Sequence, residues 1–138
     1  MSNPFLTSPW EITDGGAAAA GFADENSDCA VRAFAFAFDI PYPSSFVLLQ
    51  RLGRRRNCGV VVEDVIHKAS KMTGFICKPL KLPKGACVCE VLSWCRVHDV
   101  YLVEISEHVF CIRNLQIHDL NVVPLRTKVL RAWRVLKL

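Results

Sequence analysis

A chain of 138 residues, 51% hydrophobic and 22% charged, is too apolar to stay disordered and long enough to bury one domain core. No apolar run approaches the roughly 20 residues of a membrane span. No basic n-region followed by an apolar stretch opens the chain, which speaks against a secretory signal and for a cytoplasmic protein. Seven cysteines, an odd number at irregular spacing, fit a reduced chain better than a disulfide framework. The net charge of +4 is uneven: the first 28 residues carry acids without a Lys or Arg, whereas Arg126, Lys128, Arg131, Arg134 and Lys137 crowd the end.

Residues 1–25 read as an irregular arm, punctuated by Pro4, Pro9, Gly15 and Gly16, which Phe5 and Trp10 pin to a domain spanning 26–138. Asn26-Ser27-Asp28 is a helix-capping run, and an Ala/Phe segment starts at Cys29. That segment alternates with period two as well, a strand signal. Its alanines, the cap and the closing Asp39-Ile40-Pro41 decide for a helix. Pro41 to Ser45 turns the chain, and Ser44 or Ser45 caps a second helix from Phe46 to Arg51. The Gly53–Gly59 stretch reads as an exposed loop, so serine at Arg54, Arg55 and Arg56 is expected to cost little stability. With Arg51 these arginines form a basic cluster of the kind that can bind nucleic acid, although a solvated face and loop is the favoured reading.

Val60 to Met72 reads as a third helix, with Val61, Val65, Ile66 and Ala69 on its apolar stripe and Thr73-Gly74 as its end. A short strand at Phe75–Cys77 and a short helix at Val88–Cys95 follow. Beyond them the chain turns to β-formers: Val100–Ile105, His108–Arg113, Gln116–Leu120, and Val129–Leu136 as an edge strand. Helices first and strands last predict an α+β fold, N-terminal helices packed on a C-terminal antiparallel sheet.

Chemistry concentrates at Cys29. A thiol in the first turn of a helix feels unpaired N–H groups and the positive end of the dipole, which favour the nucleophilic thiolate. Such a nucleophile needs a base and a group that orients the base. A two-residue turn at Asn114-Leu115 pairs Ile112 with Ile117 and Cys111 with His118. It also sets His108 and Asp119 on one face as diagonal neighbours about 7–8 Å apart between α-carbons. A three-residue turn would bring His118 to that face instead. Of the other cysteines, Cys58, Cys77, Cys87, Cys89, Cys95 and Cys111 read as small hydrophobes. Cys87-x-Cys89 with Cys95-x-x-His98 matches no closed four-ligand zinc pattern, so neither a metal nor another cofactor is expected. His67 and His98 read as surface residues, and Arg32 as a partner of Asp28 one turn away.

Asp28-Cys29-Ala30-Val31-Arg32-Ala33, the His108–Arg113 strand and Ile117-His118-Asp119 together resemble the papain-like cysteine peptidase superfamily. They are most similar to small papain-like domains of bacteriophage and bacterial genomes, over roughly residues 26 to 136. The peptidoglycan-cleaving NlpC/P60 group is similar too. The resemblance implies a hydrolase that attacks an amide or isopeptide bond of a protein or peptide substrate. Cys29 is then the nucleophile, His108 the base and acid, and Asp119 the orienting group, with His118 as the alternative third residue. It also implies a phage- or virus-encoded protein working in a host cytoplasm. The oxyanion-donating Gln of papain-like peptidases falls on Ala23, so Asn26 or Ser27 would donate beside the Cys29 N–H. The glycine common before the histidine is Glu107. A peptidoglycan amidohydrolase and a non-catalytic module binding a host protein or nucleic acid are the competing readings.

Overall fold

The computed structural model describes residues 8–138. Phe5 lies outside them. Among the described residues the chain forms β1 (Trp10–Ile12), α1 (Cys29–Ala37), α2 (Tyr42–Arg51), α3 (Val62–Thr73), β2 (Phe75–Pro79), α4 (Val88–Trp94), β3 (Val100–Ile105), β4 (His108–Arg113), β5 (Gln116–Asp119) and β6 (Arg131–Lys137). The class is α+β. The six strands make one mixed sheet in the order β1-β5-β4-β3-β6-β2. None of the described helices is long and apolar enough to cross a membrane.

Strand alternation divides the core in two. Leu102, Val109, Cys111, Trp133 and Val135 face α1, α2 and α3, where Phe34, Phe38, Leu49 and Ile66 are fully buried. Tyr101, Val103, Phe110, Ile112 and Ala132 face the other way, onto Val88 and Val91 of α4 and onto Val123. Two covered faces explain why β4 is buried without a break from Val109 to Ile112.

The hairpin β4–β5 turns on Asn114-Leu115, pairing Arg113 with Gln116, Ile112 with Ile117 and Cys111 with His118. Both turn residues have positive φ, 52° and 59°, the left-handed pair that a tight hairpin requires. Leucine pays a steric penalty there. Leu115→Gly is therefore expected to stabilise the protein by about 1 kcal/mol, read as a rise in melting temperature with unchanged cooperativity.

Five expectations need correction. The arm is not wholly irregular: β1 pairs in parallel with β5, Trp10 opposite Ile117 and Ile12 opposite Asp119, so the sheet is mixed rather than antiparallel. Trp10 does pin it, donating from Nε1 to Val123 O at 2.9 Å. The second helix starts at Tyr42, ahead of Ser44 and Ser45, because Pro43 is tolerated in a first turn that needs no N–H. Ser45 instead donates to Val31 O of α1 at 2.7 Å. In α3 it is Val62 that is buried, while Val61 is exposed beside the helix start. Strand β6 is interior, between β3 and β2. Its basic residues are tolerated because Arg131 pairs with Glu63 and Glu104, and Arg134 with Asp99.

The fifth correction concerns the arginine loop. Arg55 and Arg56 are exposed, but Arg54 is buried and pairs with the buried carboxylate of Glu25 at 2.8 Å. Its Nη2 also donates to the carbonyls of Asn26 and Ser27 at 3.3 and 3.5 Å. Arg56 reaches Glu25 and Asp24 from the solvent side. Acids from one loop and arginines from another neutralise each other, and the segment that leads into α1 is fixed by them.

Candidate active site

Cys29 opens α1, and the helix begins where the sequence places it, but the cap works differently from expectation. Asp28 sits at the N-cap and makes no side-chain bond to the first turn. Its buried carboxylate accepts from Arg32 Nη1 and, at 2.7 Å, from the Tyr42 hydroxyl. Burial and the bond to Asp28 push the Tyr42 phenol upward, so it stays a donor. The Cys29 N–H, at the first helical position, has no intrahelical acceptor.

His108 opens β4, and the two element starts meet: Cys29, His108 and Val109 line one cleft, with the His108 ring and the Val109 N–H close enough to the thiol to favour its ionised form. His108 Nε2 contacts Asp119 Oδ2. With Nε2 engaged there, Nδ1 is the ring nitrogen left for the sulfur. Asp119, buried at the end of β5, is held from several sides. Its Oδ1 accepts from the Leu120 N–H at 2.7 Å and lies 3.5 Å from Arg32 Nη2, while its carbonyl accepts from the Thr13 N–H at 2.9 Å. A continuous polar chain therefore runs Tyr42, Asp28, Arg32, Asp119, His108, Cys29. Gly15, with φ of 71°, covers it: a Cβ there would sit 3.4 Å from the Arg32 stem.

The electrostatics follow from these contacts. The hydrogen bonds to Asp119 and to Cys29 outweigh burial and push His108 up to about 9. Burial alone would raise the Cys29 thiol. The bonds from His108 and Val109 N–H, with the charges of His108 and Arg32, outweigh it and leave the thiol below its ordinary value. The two shifts act together: each widens the pH range in which a thiolate stands beside an imidazolium. Burial has the opposite outcome elsewhere, pushing Cys77 up to about 11 and Cys95 to about 12, and raising Cys111 as well. Cys77 and Cys111 are the buried hydrophobes expected, whereas Cys58 and Cys89 are exposed.

The thiol and ring open onto a cleft of about 340 Å³, walled by Gly59 to Val62 on one side and by Glu104, Glu107 and Val109 on the other. Glu107, exposed in the β3–β4 turn, takes φ of 56°. This is left-handed backbone, which glycine would adopt at less cost. Two larger grooves, of about 540 and 570 Å³, touch none of Cys29, His108 and Asp119.

Cys29, His108 and Asp119 are thus brought together, and Asn26 and Ser27 are not: both are exposed, and neither walls the cleft. Asn26 N–H donates to Asn57 Oδ1 at 2.9 Å and so belongs to the loop. His118 points to the α1 face, its ring 4.9 Å from Phe36 and its Nε2 3.3 Å from Arg113 O. Burial lowers its pKa, so it stays neutral. The sequence reading missed Tyr42, Glu25 and Arg54, and gave Arg32 only one of its two carboxylates. The matching runs Asp24-Glu25 and Arg54-x-Arg56 were the available signal. Among the described residues no group of three or more His, Cys, Asp or Glu side chains is arranged to hold a metal ion.

No family model, curated protein or solved structure matches this chain.

The geometry separates the two candidates for third residue. Asp119→Ala is expected to slow Cys29 alkylation at neutral pH on the order of tenfold, the loss of a charge-assisted bond of about 1.5 kcal/mol. His118→Ala is expected to change it less than twofold. Iodoacetamide labelling followed by peptide mapping reads both, and a larger effect from His118 would reverse the assignment.

Proposed function

We propose that this chain is a papain-like cysteine hydrolase that cleaves an amide or isopeptide bond in a protein or peptide. The observation that carries the reading is the thiol–imidazole–carboxylate line Cys29, His108, Asp119 opening onto a cleft. The thiolate attacks the acyl carbon, and the electron pair of the carbonyl moves onto its oxygen, within reach of the Cys29 N–H at the helix start. The imidazolium gives its proton to the leaving amine. Neutral His108 then takes a proton from water, whose oxygen displaces the thiolate and releases the acid. Asp119 holds the ring and stabilises its cationic form.

The competing readings have less support. A peptidoglycan amidohydrolase of NlpC/P60 type would take His118 as third residue, and that ring faces away from His108. A nucleic-acid module would use the arginine loop, and Arg54 is committed to Glu25.

Incubation with p-nitrophenyl acetate tests the reading. An acetyl group is expected on Cys29 by mass spectrometry, with p-nitrophenolate release that continues past one equivalent. An unacylated Cys29 in a protein whose thiol alkylates normally would sink the proposal. The pH profile adds a second check. Cleavage of an amide such as a peptidyl p-nitroanilide needs thiolate and imidazolium together, because the leaving amine takes the proton, so it should rise as Cys29 ionises and fall as pH passes about 9, where His108 loses its proton. Alkylation needs only the thiolate and should show no such fall.

A further inference from the structure

On the opposite face of the sheet from Cys29, Cys87 and Cys89 flank the start of α4 with their sulfurs 2.8 Å apart. Residues two apart within a helix do not face one another. These do because Cys87 is not helical: it sits at the N-cap with φ of −104° and ψ of 168°, which swings its side chain over the first turn. The arrangement is held from several directions. Val88 N–H donates to Thr127 O at 2.9 Å, Cys89 N–H to Leu125 O at 2.8 Å, and Val129 N–H to Ala86 O at 2.9 Å. The Glu90 carboxylate accepts from both the N–H and the thiol of Cys87 at 3.3 Å. Cys87 is half-buried and Cys89 exposed.

We propose that Cys87 and Cys89 are a dithiol–disulfide centre that exchanges with low-molecular-weight disulfides such as oxidised glutathione. The exposed Cys89 thiolate attacks one sulfur of the small disulfide, and that S–S bond breaks with release of one thiolate. The mixed disulfide on Cys89 is then attacked by the Cys87 thiolate. A Cys87–Cys89 bond forms, the mixed bond breaks, and the second small thiolate leaves. The two protons of the protein thiols end on the two released small thiols, so one disulfide is reduced as one is made. The proximity of the sulfurs makes the second step intramolecular and fast relative to a further encounter. A ring closed over a single intervening residue is strained, which places the bond among exchangeable disulfides rather than permanent ones. The centre is independent of the chemistry at Cys29.

Full-length protein in oxidised glutathione, quenched with an alkylating agent and mapped by peptide, tests this. In the wild type the peptide holding both cysteines should lose two mass units and carry little glutathione, and reduced glutathione should reverse the change. In Cys87→Ser the same peptide should instead accumulate glutathione on Cys89, at least tenfold above wild type. Wild-type protein that accumulates glutathione on Cys89 to the level of the variant would overturn the proposal, as would a wild-type peptide that stays fully reduced. Modification of Cys29 is read on a separate peptide and bears on neither result.

Discussion

His108→Ala should slow alkylation of Cys29 at pH 6 on the order of a hundredfold. In the native protein the ring stands beside the sulfur and its positive charge favours the thiolate, against a burial effect that by itself raises the thiol. Removing the ring leaves burial in command. An ordinary thiol, with a pKa of about 8.5, is ionised to well under 1% at pH 6. The variant should approach or fall below that reactivity, while the native thiol, held below its ordinary value, ionises at lower pH. Rates measured from pH 5 to 10 should show the variant's curve displaced to higher pH and meeting the wild-type curve only in alkali. Equal rates at pH 6 would mean that the thiol is activated by the helix start alone. The remaining six cysteines provide the internal standard in each digest.

Arg54→Ser should destabilise the fold by about 3 kcal/mol, the order seen when one partner of a buried ion pair is removed. Glu25 would keep the Asn57 N–H at 2.8 Å and Arg56 at 3.1 Å, but lose its buried counter-charge. Serine at Arg55 or Arg56, both exposed, should change stability by no more than about 0.5 kcal/mol. Urea melts of the three single variants separate these outcomes. The pH dependence has a definite sign. Burial raises the Glu25 carboxyl, but the Asn57 N–H, Arg54 and Arg56 more than compensate and leave it below its ordinary 4.5. A depressed carboxyl contributes stability that is complete above its unfolded value and is lost as pH falls through its native one. Wild-type protein should therefore lose stability below about pH 4.5, and Arg54→Ser should lose less over the same interval. Because Arg54 also holds the Asn26 and Ser27 carbonyls, the variant should loosen the approach to Cys29 and slow its alkylation as well.

What the sequence disclosed and what it hid divide by the range of the interaction. The β4–β5 register was readable because a period of two and a two-residue turn leave one pairing in which His108 and Asp119 share a face. The start of α1 was readable from its polar run, although Asp28 proved to serve Arg32 and Tyr42 rather than the helix end. Arg54 was hidden because three consecutive arginines look like solvent-exposed charge, and the partner that buries one of them lies 29 positions earlier. Strand β1 was hidden because three residues carry no period, and it exists only where β5 offers an edge. The position of α2 turned on Pro43, which reads as a breaker in sequence but is harmless in a first turn.

The pairing of β1 with β5 has a temporal side. Trp10 and its acceptor Val123 are 113 positions apart, so during synthesis the first strand waits for a partner made more than a hundred residues later. Closing so long a loop is among the slower events in folding a small domain. The Thr13 N–H that holds the Asp119 carbonyl arrives with β1, so the backbone carrying the carboxylate that contacts His108 gains this support only once β1 has paired with β5. A chain lacking that contact keeps the Leu120 N–H and Arg32 on the Asp119 carboxylate but loses one of the bonds that fix its backbone. The surroundings of Cys29 are thereby linked to a contact made late in folding.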